Sequence, residues 1–158
     1  MDVELNEQEK MIQSAARDFA LREVEPRAAE MDATAEFPLD LARQMGRMGY
    51  YGLAYPGAYG GSEAGYLAYA LVIEQISRSS MTAGAIVAVS VLSQESLLRF
   101  GDEHQKQTFL PPLARGEVFG CFCCSFPKRN RLSSDRMLTA TMAPAVMEVR
   151  DICSITRA

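Results

Sequence analysis

Three cysteines fall within four positions, Cys121, Cys123 and Cys124, and the fourth, Cys153, stands alone. Tetrahedral zinc calls for C-x2–4-C pairs with a second pair at a distance. Here one pair is adjacent, another is spaced by two, and the last cysteine is isolated, so no metal site is assigned. A disulfide framework would be spread along a small secreted domain, whereas all four cysteines lie in the last 38 residues and read as thiols. His104, the only histidine, sits in the polar "DEHQKQ" with no serine or cysteine placed to make a triad, and reads as a surface residue. Glu74 and Glu95 are carboxylates on helical segments, where solvation or a salt bridge is the ordinary role. No residue is therefore assigned as catalytic.

The run "KRNR" from Lys128 invites a nucleic-acid reading. It lacks interleaved aromatics beyond Phe126 and follows an acidic body: residues 1–127 carry ten Lys/Arg against seventeen Asp/Glu, and residues 128–158 carry six against three. Nucleic acid is not an expected partner, and the tail after 127 reads as irregular.

The elements that must position any site are mostly helical. The chain has 158 residues, 48% of them apolar and 23% charged, a composition suited to one soluble domain with a real core. From Asn6, the residues Met11, Ile12, Ala15, Ala16, Phe19, Ala20 and Val24 recur at steps of three and four, tracing one face of a helix. Asn6 can cap it, Glu7 and Glu9 suit its first turn, and Pro26 marks a break or restart. The stretch "RAAEMDATAEFP" then leads to a helix from about Pro38 to Met48.

"GYYGLAYPGAYGGSEAG" follows, with six glycines among seventeen residues. It must turn repeatedly, its tyrosines packing over helices with their hydroxyls near water. It lacks the G-x-x-x-x-G-K-[ST] and strand–G-x-G-x-x-G–helix contexts of phosphate loops. Tyr66–Ser79 is helical, with Glu74 and Arg78 placed as an i,i+4 pair. Met81–Phe100 is the next helix, apolar nearly all round at its start and so expected to be buried on every side. Its weakly polar run, Met81 to Leu92, is twelve residues where a membrane span needs about 20. Asp102 opens a further helix with Gln105 in capping-box position, "PPLARG" closes it, and "VFGCFC" reads as a strand. The acidic N-terminus "MDVELNEQEK" shows no secretory signal pattern, so no membrane association and a cytoplasmic location are the default expectations.

The blocks "RDFALREVEPRAAEMD", "FPLDLARQMGRMGYYGLAYPGAYGG", "YLAYALVIEQISRSS", "LLRFGDEHQKQTFLPPLARGE" and "GCFC" resemble, in order and spacing, the N-terminal helical domain of the flavin-dependent acyl-CoA dehydrogenases. The resemblance covers about residues 3–124. It implies an all-α fold class with a short strand at its C-terminal end: residues 1–117 the helical domain, 118–127 the first strand of a middle β domain, and 128–158 a tail outside the family pattern.

In that family, flavin lies between the β domain and a C-terminal helical bundle, and the bundle supplies a glutamate base to which no residue here corresponds. The resemblance implies FAD contacts from Phe122, Cys124 and Ser125. It also implies a wall of the acyl cleft from Gly84, Ala85, Ala88 and Val89, for which ordinary helix packing is the alternative. Acyl-CoA and electron-transfer flavoprotein are the implied partners, and fatty acid metabolism the implied setting; a lone domain of this kind would also expose the small-residue face of Met81–Phe100 and the "VFGCFC" edge, so a homo-oligomer is expected. The match departs at Phe126, where glutamate is expected, and at "KRNRL", which replaces the turn on the pyrophosphate side. The functional expectation is a piece of an acyl-CoA dehydrogenase, inactive as an isolated chain, with tight FAD binding not expected. A non-catalytic helical interaction module, or a frameshifted or truncated product, is the alternative.

Overall fold

The computed structural model describes residues 4–125 and 141–147, and side chains through residue 120. Six α-helices carry the fold: α1 Glu7–Phe19, α2 Ala28–Thr34, α3 Leu39–Arg47, α4 Gly65–Ser79, α5 Met81–Phe100 and α6 Glu103–Ala114. They are followed by strands β1 Phe119–Ser125 and β2 Thr141–Met147.

Capping fixes where α1 and α6 begin. The Asn6 side chain accepts from the Glu9 amide, and the Glu9 carboxylate accepts from the Asn6 amide, each at 2.8 Å. Asp102 and Gln105 repeat the arrangement at 2.8 and 3.0 Å. Each reciprocal pair satisfies two backbone donors that a helix start otherwise leaves unbonded.

At Pro26 the chain takes the restart rather than the break, of the two that the sequence allowed. Helix α1 widens into a π turn over Ala20–Val24, and the Glu25 amide bonds back to the Ala20 carbonyl. A 3-10 turn, Glu25–Arg27, then takes in the proline, which has no amide to donate. The chain continues directly into α2, a helix that the sequence reading passed over as connection. At seven residues it is too short for periodicity to show, and Met31 is its only buried residue. Ala35 ends it in the left-handed region at φ 52°, its amide donating to the Met31 carbonyl. Arg27 then reaches α3, donating from both terminal nitrogens to the Asp40 carboxylate at 2.7 and 2.8 Å.

The main core gathers Ala16, Phe19, Ala20 and Val24 with Leu41, Met45, Tyr50, Tyr51, Val72, Ile76, Val87 and Phe119. Helix α1 packs on α4, and α5 packs on α4, α6 and β1. A second, smaller cluster, Leu97, Leu110 and Leu113, joins α5 to α6. The C-terminal ends of α3 and α6 meet at Gly46 and Gly116, where a Cβ on Gly116 would lie 2.8 Å from the Gly46 Cα. Gly116 also has φ +67°, so both packing and conformation require glycine there.

Three further expectations are corrected. Helix α5 is buried on one face only: Met81 is 77% exposed, Leu92 50% and Val89 45%. Its apolar positions outnumber what one packing face can cover. Of the tyrosines in the glycine-rich loop, only Tyr59 keeps its hydroxyl at the surface, donating to the exposed Glu103 carboxylate, whereas Tyr51 and Tyr55 are buried and donate to the carbonyls of Ala42 (2.8 Å) and Val91 (3.0 Å). Tyr50 is buried as well, and burial pushes its phenol up to about 12. Finally, the tail is not irregular throughout. β2 pairs antiparallel with β1, from Phe119 opposite Met147 to Ser125 opposite Thr141. The Lys128–Arg131 run and Cys153 lie outside the described residues.

The Arg27–Asp40 pair yields a test with a defined sign. The Arg27 hydrogen bonds hold the Asp40 carboxyl below its ordinary 3.8, so the pair's contribution is present above that value and lost as pH falls through the depressed one. Asp40→Asn is expected to lower the urea midpoint near pH 7, with the gap from wild type closing as pH is taken from about 6 toward about 3. A gap independent of pH would show that the ion pair is not its source.

Candidate functional site

The outward face of α5 is the candidate site. Ser80 starts the helix, its hydroxyl accepting from the Ala83 amide at 3.4 Å. From there Met81, Ala85, Val89 and Leu92 are exposed, with Ala88 half-buried beside them. Their spacing keeps them on one stripe, and the eleven steps from Met81 to Leu92 at 1.5 Å rise give it a length of about 16 Å. The stripe is apolar and contains small side chains at its middle, so it can receive a slender apolar body but offers it no hydrogen bond.

Two contacts fix how that face is presented. On the inner side, Gly84 lies against α4: a Cβ there would sit 2.0 Å from the Ser77 Oγ. Gly120, in β1, lies against α5, where a Cβ would meet the Ser93 Oγ at 2.3 Å. Helix α5 is thus held between α4 and the first residues of β1, and its outer stripe is left exposed among the described residues. Phe119 locks the start of the strand, making edge-to-face contacts with Phe37 at 5.9 Å and Tyr51 at 6.1 Å between ring centroids.

The structure therefore separates the four wall residues named from sequence. Gly84 serves the α4–α5 contact, while Ala85, Ala88 and Val89 belong to the outer stripe with Leu92 and Met81. Phe122, Cys124 and Ser125 all lie in β1, opposite Pro144, Met142 and Thr141. Both strands of this pair lie against α5.

The stripe ends in polar groups. Glu95, its side chain 17% exposed, accepts from the Tyr66 hydroxyl of α4 and from the Arg99 Nε at 3.0 Å. The Glu95 hydrogen bond raises both the Tyr66 phenol and the Arg99 guanidinium above their ordinary values. Glu74 pairs with Arg78 at 3.8 Å on the exposed side of α4. Both carboxylates are therefore committed to ion pairs, and His104 is exposed on α6. Among the described residues, this geometry provides shape and apolar surface.

Sequence reasoning missed the polar support beneath the stripe. Ser90, Ser93 and Gln94 lie on the buried face of α5, where the Ser93 hydroxyl and the Gln94 amide both donate to the Ser90 carbonyl, at 2.7 and 3.3 Å. Their i, i+3, i+4 spacing was the available signal. The surrounding apolar residues hid which face they occupied.

The chain resembles known proteins along most of its length. A family model described as the N-terminal domain of acyl-CoA dehydrogenase matches residues 6–117. The chain is 38% identical over 128 residues to a probable acyl-CoA dehydrogenase, YngJ, of Bacillus subtilis, a match covering 80% of this chain and 34% of the relative. It is 41% identical over 139 residues to a 3-(aryl)acrylate reductase of Clostridium sporogenes, covering 87% and 36%. In three dimensions it superposes on butyryl-CoA dehydrogenase from Megasphaera elsdenii with a TM-score of 0.71 at 26% identity, over 75% of this chain and 32% of that one. A glutaryl-coenzyme A dehydrogenase in complex with glutaryl-CoA gives a TM-score of 0.72 at 31% identity, over 76% and 32%. The chain spans about a third of the length of these relatives.

The split of the wall residues can be measured. Gly84→Ala is expected to destabilise by at least about 1 kcal/mol in urea unfolding, since its methyl would overlap Ser77. Val89→Ala, on the exposed stripe, is expected to change stability by no more than about 0.5 kcal/mol. Equal costs at the two positions would mean that the stripe is covered in solution.

Proposed function

Because the chain belongs to the acyl-CoA dehydrogenase family, we propose that it provides one wall of an acyl-thioester cleft, and that dehydrogenation takes place only when the rest of a family enzyme supplies the other walls. The observation that carries this reading is the exposed apolar stripe on α5, which has small residues at its centre and lies on a helix that β1 meets at Ser93.

Such an enzyme removes a proton from the α carbon and a hydride from the β carbon of a thioester. The first step needs a base and donors to the thioester carbonyl, and the second needs an acceptor aligned with the β carbon. Bound FAD supplies that acceptor in the family. Phe122, Cys124 and Ser125 are the residues of this chain proposed to face it. A single strand forms one edge of such a site, and no phosphate-holding turn lies among the described residues. Tight FAD binding is therefore not assigned to the chain alone. The contribution proposed for α5 is to orient the acyl chain and exclude water: Ala85 and Ala88 leave room for it, and Val89 and Leu92 flank it. The base lies outside the matched region. Electron-transfer flavoprotein is the proposed acceptor of the electrons, by the family resemblance.

A chimera tests this reading. Residues 1–125 joined to the C-terminal two thirds of the Bacillus subtilis YngJ protein should bind FAD and reduce an electron-accepting dye with an acyl-CoA, whereas the 158-residue chain alone should stay colourless with added FAD. Ala88→Trp in the chimera should raise KM or abolish turnover of acyl-CoA while the bound flavin spectrum persists. An active, unaltered Ala88→Trp chimera would remove α5 from the cleft.

The same exposed stripe and the β1–β2 edge favour self-association of the isolated chain. Light scattering is expected to show a dimer or larger species that Ala88→Glu dissociates. A wild-type monomer at high micromolar concentration contradicts this.

A further inference from the structure

A second concavity lies away from α5. The cleft of about 810 Å3 is lined by Arg43, Gly46, Arg47 and Gly49 from α3 and its end, by Gly60, and by Ala114, Arg115, Gly116 and Glu117 after α6. Gly46 and Gly116 meet there, drawing two backbone segments together, with the exposed Arg43 and Arg47 from one segment and the exposed Arg115 from the other. Within the cleft the ion pair is Arg115 with Glu117, whose carboxylate accepts at 2.7 and 3.2 Å. Arg43 and Arg47, one helical turn apart, have no carboxylate partner among the described residues. Three arginines against one glutamate leave a local excess of positive charge on a chain whose net charge is −4.

We infer that this cleft binds a small phosphate-bearing ligand, independently of the acyl cleft proposed above. A planar carboxylate is satisfied by one guanidinium, as Glu117 is by Arg115. Arginines approaching from two walls suit a tetrahedral, doubly charged group with oxygens on several sides. No aromatic ring lines the cleft, so the phosphate itself, not a stacked base, is the recognised feature. The competing explanation is local to the helices: Arg47 ends α3 and Arg115 caps α6, where cations offset the partial negative charge of helix C-termini. That explanation predicts altered stability in arginine variants but no ligand.

Calorimetric titration of the full chain with inorganic pyrophosphate, at about 0.15 M salt to screen diffuse attraction, separates the two. Saturable one-to-one binding is expected, weakened about tenfold or more by Arg43→Ala and by Arg47→Ala. Glu117→Gln should strengthen binding by removing the competing carboxylate, and Arg17→Ala, on α1, should leave it unchanged. Circular dichroism on each variant confirms folding. Binding that does not saturate, that survives both cleft variants, or that citrate matches in affinity would overturn the assignment. A fall in melting temperature of the variants with no wild-type binding would do the same, leaving the arginines to the helix ends.

Discussion

The position of α5 between α4 and β1 is the constraint from which the rest of the domain follows. Two close approaches set it, Gly84 onto Ser77 and Gly120 onto Ser93, and neither leaves room for a further carbon. With the helix pinned on that side, its remaining apolar residues have nowhere to go but outward. The open stripe is thus a by-product of tight packing on the opposite face, and the domain tolerates it because α1, α4 and the tyrosine loop already close the core. By length and composition α5 could cross a membrane. Its buried serines, its glutamine and its fit against β1 are those of a helix packed inside a protein.

Polar groups buried under that helix are handled with its own backbone. The Ser90 carbonyl accepts from two side chains, the Val91 carbonyl from Tyr55, and the Ala42 carbonyl of α3 from Tyr51. Carbonyl oxygens have two lone pairs, so a helix can accept such bonds without losing its ladder. Two buried oxygens, the Tyr50 hydroxyl and the Gln94 Oε1, have no partner among the described residues.

Helix positions were legible where local chemistry sets them. Asn6 and Asp102 announced α1 and α6, and Ser80 and Gly101 bracket α5 as the apolar run suggested. What escaped reading depended on partners distant in sequence. Nothing near Tyr55 indicates that its hydroxyl ends on Val91, thirty-six residues away. Nothing near Leu92 says whether another element will cover it, since burial of an apolar residue is decided by what packs there. The wall residues illustrate both cases. Gly84, Ala85, Ala88 and Val89 form a run of small side chains on paper, yet a rotation of one residue separates the one that builds the core from those that face out. The β2 strand was missed because its pairing with β1 spans a segment without helical or strand pattern.

The Tyr55 hydrogen bond gives the glycine-rich loop a mechanical role. A loop with many glycines is the most compliant part of such a domain, yet this one is braced at its midpoint by a rigid aromatic strut whose tip rests on α5, one residue before Leu92. Burial raises the Tyr55 phenol far above its ordinary value, so the strut keeps its proton, and its bond, across the whole range of pH that the protein could meet. The bond ties the loop directly to the helix beneath the stripe. The smoothness of that surface is maintained from behind, by a residue that any body lying on it would never touch.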